Sequence, residues 1–201
     1  MTVRAHKPEF NFREKLKELD YAHVPYHKMP AGSVIKTEYR QFDTRLSINH
    51  GGTLQFYEFT DLTINITPFS ASSKFLMQAN VISSEGQNPN GGPAFRYEYG
   101  GNTFYGNGDY SYTTAPNNVK AFINVDDLIT SAFTTSSNNW QYISKSYHGS
   151  ALVEPNTTDP IAFKLGFHGM TTIDINRNAY TGGSNNYGAG FTTLTVMEIA
   201  G

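Results

Sequence analysis

With 201 residues, 38% of them apolar and 14% aromatic, the chain has material for one large β domain or for one domain plus a short appendage. Its formal charge is −2 and its 15 basic residues are spread along the chain, which excludes the clustered basic face of a nucleic-acid binder. No apolar run approaches the roughly 20 residues of a membrane-spanning helix, and a chain without cysteine has no disulfides, thiol catalysis or thiolate metal sites.

Residues 1–31 form a first region, set apart by Pro8, Pro25 and Pro30 and by a concentration of charge. Within it, Asn11 to Asp20 reads as a helix. Asn11 caps the first turn, Glu14 follows three residues later, and Phe12, Leu16 and Leu19 fall on one face. A helix this short is marginal alone, so its apolar face needs a partner. Burying three such side chains contributes roughly 1.5–3 kcal/mol each. The prolines keep the flanks extended, which favours an anchor, with Phe10, Phe12, Leu16 and Leu19 docking into a larger assembly or a neighbouring subunit; packing on the chain's own β domain is the alternative. The opening MTVRAHKPEF lacks the apolar stretch of a signal peptide, which predicts synthesis in a cytoplasm.

From Gly32 to Gly201 the pattern changes to period two, the spacing of half-buried strands. Strands are predicted over Ser33–Phe42, Thr53–Thr60, Leu62–Ile66 and Lys74–Ser83. In the last two, Leu62, Ile64 and Ile66, then Phe75, Met77, Ala79 and Val81, occupy one face. Glu85–Pro93 reads as loop. Phe95, Tyr97 and Tyr99 lead through Gly100-Gly101 to Thr103-Phe104-Tyr105, a hairpin. Residues 106–118 read as loop, Val119–Val125 as strand, and Asp126–Phe133 fits either strand or helix. Ser136–Asn139 is a turn before Trp140. Strands over Pro160–His168, Thr171–Asn176 and Phe191–Ile199 complete the chain, with a loop at 182–186. Eight to ten short strands at regular spacing predict an all-β protein, an antiparallel β-sandwich.

The stretches ITPFSASSKFLMQANV (66–81) and LTVMEIAG (194–201) resemble those of small phage structural proteins, tail-fibre-like or virion-surface proteins of marine and cyanobacterial phages. So do a loop before the last strand rich in Gly, Asn, Ser and Tyr, and the leader FNFREKLKELD with KMPAGSVI. The resemblance covers most of the sheet region but not Ala94–Tyr112 or Asp126–Glu154. It implies a jelly-roll-like sandwich of the tumour-necrosis-factor or complement globular-head kind. Such a domain is a homotrimer on a virion, held to other tail or capsid proteins through residues 1–31 and without membrane insertion.

Chemistry is sparse in the sequence. Asp126 and Asp127 are adjacent and point to opposite faces of a strand. Asp159 precedes a proline, Asp174 falls on the solvent face between Ile173 and Ile175, and with Glu154 these read as solvated turns and faces. The paired carboxylates of glycoside hydrolysis are therefore not expected. The six histidines lack metal-ligand spacing, so neither cofactor, metal nor enzymatic activity is expected. Tyr105, Tyr110, Tyr112, Trp140, Tyr147, Tyr180 and Tyr187 lie in or beside Gly/Asn/Ser-rich segments, a mixture suited to binding loops. They are the candidate contacts for a receptor such as a host-surface glycan; packing inside the sandwich or at a trimer axis is the alternative for the same residues. The expected function is a virion structural protein of tail-fibre or adaptor type. A capsid decoration protein and a non-viral carbohydrate-binding module are the alternatives.

Overall fold

A computed structural model describes residues 29–49, 55–85, 91–105, 122–124, 145–169, 172–176 and 190–201. They form two antiparallel sheets built from β1 (Val34–Phe42), β2 (Leu46–Asn49), β3 (Gln55–Glu58), β4 (Ile64–Ile66), β5 (Lys74–Glu85), β6 (Gly91–Tyr99), β7 (Asn102–Tyr105), β8 (Phe122–Asn124), β9 (Lys145–Val153), β10 (Ile161–Gly169), β11 (Thr172–Ile175) and β12 (Thr192–Ile199). The anchor segment, with Phe10, Phe12, Leu16 and Leu19, lies outside the described residues.

The long strand β5 organises the seven-stranded sheet. β9 runs along one of its edges and carries β8. β12 and then β11 occupy the other edge, flanked by β1 and β2 respectively. In the five-stranded sheet β10 has the same role, with β6 and β7 on one side and β4 and β3 end to end on the other. Counting β3 and β4 as one broken strand, and setting aside β2, β8 and β11, the eight principal strands divide as first-eighth-third-sixth and second-seventh-fourth-fifth. That is the strand order of a jelly roll.

The alternation read from the sequence has a direct structural cause. Phe75, Met77 and Val81 of β5, with Leu194 and Val196 of neighbouring β12, face Phe163, Leu165 and Phe167 of β10 and Ile64 and Ile66 of β4 in one closed core. Phe75 and Phe163 meet across the sheets with ring centroids 4.8 Å apart. β4 and β5 therefore belong to opposite sheets, and the turn Pro68–Ser73 carries the chain from one to the other. Gly100 and Gly101 have φ of 56° and 77°, the two left-handed residues that a tight hairpin between β6 and β7 requires.

Three expectations need correction. Glu85–Pro93 is not all loop: β5 runs to Glu85, and Gly91, Gly92 and Pro93 begin β6 opposite Gly169, His168 and Phe167. Glycines carry no side chain to mark a strand, and the partner edge of β10 supplies what periodicity lacks. Leu62 closes a 3₁₀ turn, Thr60–Leu62, rather than opening a strand, because the Leu62 amide donates to the Phe59 carbonyl. Asp174 is buried, not solvent-facing, although it alternates with the inward Ile173 and Ile175 of β11.

Both the β1–β2 line and the β12–β11 line break at the same level, and Asn176 fills the break. At φ 57° and 1% exposure, it donates its amide to Ile82 O and its Nδ2 to the carbonyls of Phe42 (2.8 Å) and Thr44 (3.2 Å). Its Oδ1 accepts from Thr192 Oγ1 at 2.9 Å. Asn156 shares the backbone conformation (φ 55°) but is exposed, with one side-chain bond, to Glu154 O. Asn176→Ala strands two carbonyls and a hydroxyl and is expected to cost about 3 kcal/mol or more in urea unfolding. Asn156→Ala should cost only about 1 kcal/mol, the strain of a left-handed alanine.

Candidate functional site

Of the seven aromatic residues expected to contact a receptor, two are described. Tyr105 ends β7, half-buried, its ring edge-on to Phe56 at 6.2 Å. Tyr147 is a correction. It lies in β9 opposite Val81, on the core face, 8% exposed and edge-on to Phe167 at 6.0 Å, so it packs the sandwich rather than a binding loop. Tyr110, Tyr112, Trp140, Tyr180 and Tyr187 lie outside the described residues, as do Asp126 and Asp127. Glu154 pairs with Lys74 at 2.6 Å, and Asp159 is an exposed turn residue whose amide donates to Thr157 Oγ1. Among the described residues no three His, Asp or Glu side chains gather where they could hold a metal ion.

What the strands do gather lies on the two outer faces. On the five-stranded sheet, Glu58 of β3, Arg96 and Glu98 of β6 and Lys164 of β10 converge. Lys164 Nζ reaches Glu58 Oε2 at 3.1 Å and Glu98 Oε2 at 2.8 Å. Arg96 donates Nε to Glu98 Oε1 at 2.7 Å and adds a bond from Nη2 to the same oxygen. Thr63 Oγ1 donates to the remaining oxygen, Glu58 Oε1, at 3.2 Å. The Arg96 guanidinium also sits over the Phe56 ring, 5.1 Å from its centroid. That ring lies on Gly166, where a Cβ would come within 2.3 Å of Phe56 Cζ and 2.4 Å of the Tyr57 carbonyl. Two charges of each sign cancel, and every carboxylate oxygen has a donor. The array braces β3, β10 and β6 together and leaves no lone acceptor for proton transfer.

The seven-stranded sheet differs. Its outward side chains form cross-strand rows set by register. Val34 lies opposite Ile199, which lies opposite Lys74. The next row is Thr37, Met197, Leu76 and Leu152, and then Tyr39, Thr195, Gln78 and Ser150. Val34 and Leu152 are 51% and 54% exposed, and Leu76, Met197 and Ile199 are half-buried between them. The sequence carried the signal for this face: Leu76 falls on the alternate register from Phe75 and Met77, where a solvated strand would be polar throughout. Compared with protein-family models and with curated proteins, the chain matches none.

Burial pushes the Glu98 carboxyl upward, but hydrogen bonds from Lys164 and Arg96, with their charges, outweigh it and hold the group below its ordinary value. Burial likewise lowers Lys164, while Glu98 and Glu58 together raise it above the ordinary lysine value. A lowered carboxylate stabilises the fold above its unfolded-state value, and that contribution is lost as pH falls through the folded value. The raised lysine contributes below its own unfolded-state value and loses that contribution in alkali. Glu98→Gln is therefore expected to destabilise by roughly 1 kcal/mol at neutral pH. It should also flatten the fall in urea midpoint between about pH 5 and about pH 3.

Proposed function

We propose that this chain is a phage virion structural protein of tail-fibre or adaptor type. Its first 31 residues hold it to the particle, and its jelly-roll domain trimerises for assembly or host-surface recognition. The observation that carries the reading is that the two stretches resembling such proteins are a single physical unit. ITPFSASSKFLMQANV supplies most of β5 and the turn before it, LTVMEIAG supplies most of β12, and these strands pair from Lys74↔Ile199 to Asn80↔Thr193. The buried carboxylate of Glu198 accepts the Phe69 amide at 2.7 Å, tying the turn of the first stretch to the last strand. Gly32 N donates to Ala200 O and Ala200 N to Ser33 O, so the leader joins the domain beside the same strand.

The jelly-roll order supports the domain half of the reading, and the amphipathic pattern of Asn11–Asp20 supports the anchor half. The balanced ion array favours a structural over a catalytic role. Leu16→Asp places a charge in the apolar face of the predicted helix, and it is expected to leave the β domain's far-UV circular dichroism and unfolding midpoint unchanged. Its incorporation into purified particles, measured by quantitative mass spectrometry, should fall at least tenfold. Normal incorporation of the folded variant would remove the anchor from this account.

A further inference from the structure

We propose that Glu198 and Ser73 bind one structural water molecule between them, beneath the turn Pro68–Ser73 that crosses from one sheet to the other. The inference goes beyond the reading above and does not depend on what the domain is mounted on.

The first observation is a pair of unanswered oxygens. Among the described residues three buried side-chain atoms have no hydrogen-bond partner, and two of them are Ser73 Oγ and Glu198 Oε2. Both residues are shut off from bulk water, Glu198 at 0% exposure and Ser73 at 2%. A buried polar group left unmet costs its full desolvation, so each of these oxygens calls for a partner.

The second is that the fold brings the two together. Glu198 lies opposite Phe75 in the ladder between β12 and β5, and both are buried on the core face. Ser73 precedes Phe75 by two residues and is buried like it, which makes Ser73 the diagonal neighbour of Glu198. The turn joins them a second time. Glu198 Oε1 accepts the Phe69 amide at 2.7 Å, and the Ser73 amide closes the turn on Ser70 O at 3.1 Å. Diagonal neighbours have Cβ atoms roughly 7 Å apart. One water bridges oxygens up to roughly 5.5 Å apart, twice an ordinary O–H···O distance. The Ser73 hydroxyl donates to the water, and the water donates to Glu198 Oε2.

The third is the chemistry of the seat, which selects water over a cation. A calcium ion takes about six to eight oxygens, and among the described residues no group of three His, Asp or Glu side chains gathers to hold a metal. A buried water is satisfied by about two to four polar partners. Lys36, opposite Glu198 on β1, directs its Nζ to Glu38 Oε1 at 3.2 Å. Ser83 Oγ, the third unpartnered atom, supplies the contrast. It sits near the far end of β5, in register with Ile175 and Lys145, and no second unpartnered oxygen lies opposite it.

The test pairs urea unfolding of wild type, Ser73→Ala and Ser83→Ala with crystal structures of the wild-type chain grown from sodium and from rubidium salts. Ser73→Ala removes one arm of the bridge and is expected to lower the folding equilibrium constant roughly five-fold. Ser83→Ala removes a hydroxyl that bonds to nothing and should leave that constant unchanged or raise it. The density should show one peak within about 3.2 Å of both Ser73 Oγ and Glu198 Oε2, without anomalous signal in rubidium. Equal stability of the two alanine variants overturns the proposal. So does density in which Ser73 Oγ bonds Glu198 directly. An anomalous rubidium peak, or a wild type more stable in sodium chloride than in choline chloride of equal strength, makes the ligand a cation and overturns the assignment of water. The wild-type density decides the matter even if Ser73→Ala does not fold.

Discussion

Asn176 sets the geometry of the joint on which the seven-stranded sheet depends. A twelve-residue strand such as β5 needs a partner along its whole edge, and the chain supplies two short ones in line, β12 and β11. Wherever two strands meet end to end, the ladder lacks donors and acceptors, and in a buried sheet each unmet group is costly. One asparagine supplies them at a single level: a backbone amide to β5, two side-chain donors to the segment between β1 and β2, and an acceptor for the first residue of β12. Its left-handed backbone turns the chain out of β11 at that level, and asparagine tolerates this conformation better than most residues.

The same logic explains the opposite end. Glu198 occupies an inward position of β12 where Leu194 and Val196 predict another apolar residue, and it is fully buried. Its carboxylate accepts the amide of Phe69 from the turn that crosses between sheets. A jelly roll must pass the chain repeatedly from one sheet to the other, and each crossing interrupts the ladder. Here a side chain of the last strand satisfies a backbone group of the crossing. The two polar residues thus stand at opposite ends of β12, each replacing hydrogen bonds that strand pairing cannot make.

Much of this was legible in the sequence because the core imposes period two. The inward sets of β4, β5, β10, β11 and β12 are the residues that alternation selects, and Gly100-Gly101 announces its hairpin through the need for positive φ. Pairing was not legible. Nothing local says that β4 and β5 part into different sheets, or that β12 lies between β1 and β5, since both depend on contacts distant in sequence. Gly91, Gly92 and Pro93 lack the side chains that mark a strand. Tyr147 was misassigned because composition around it suggested a loop, whereas its register opposite Val81 places it on the core face. Asp174 was misassigned because alternation tells which face a residue is on and not whether that face is covered. Of the candidate receptor contacts, only Tyr105 is described near an outer face, and its strand address was readable while its seat against Phe56 was not.

The two outer faces show how one pattern of alternation leads to different surfaces. Alternation fixes which residues point outward and leaves their chemistry free. On β6 and β10 the outward positions hold Arg96, Glu98 and Lys164, which find opposite charges across the strands. Such pairs exchange water contacts for one another at small net gain, and they also make the face costly to cover, because any partner must desolvate them. On β5, β9 and β12 the outward positions include Leu76, Leu152 and Met197, whose exposure brings no stability to an isolated sandwich and whose removal from water lowers the free energy of any complex. Selection for folding alone fills the core and is indifferent to these rows. The apolar row of Met197, Leu76 and Leu152 across three adjacent strands is therefore a property of the surface and not a requirement of the fold.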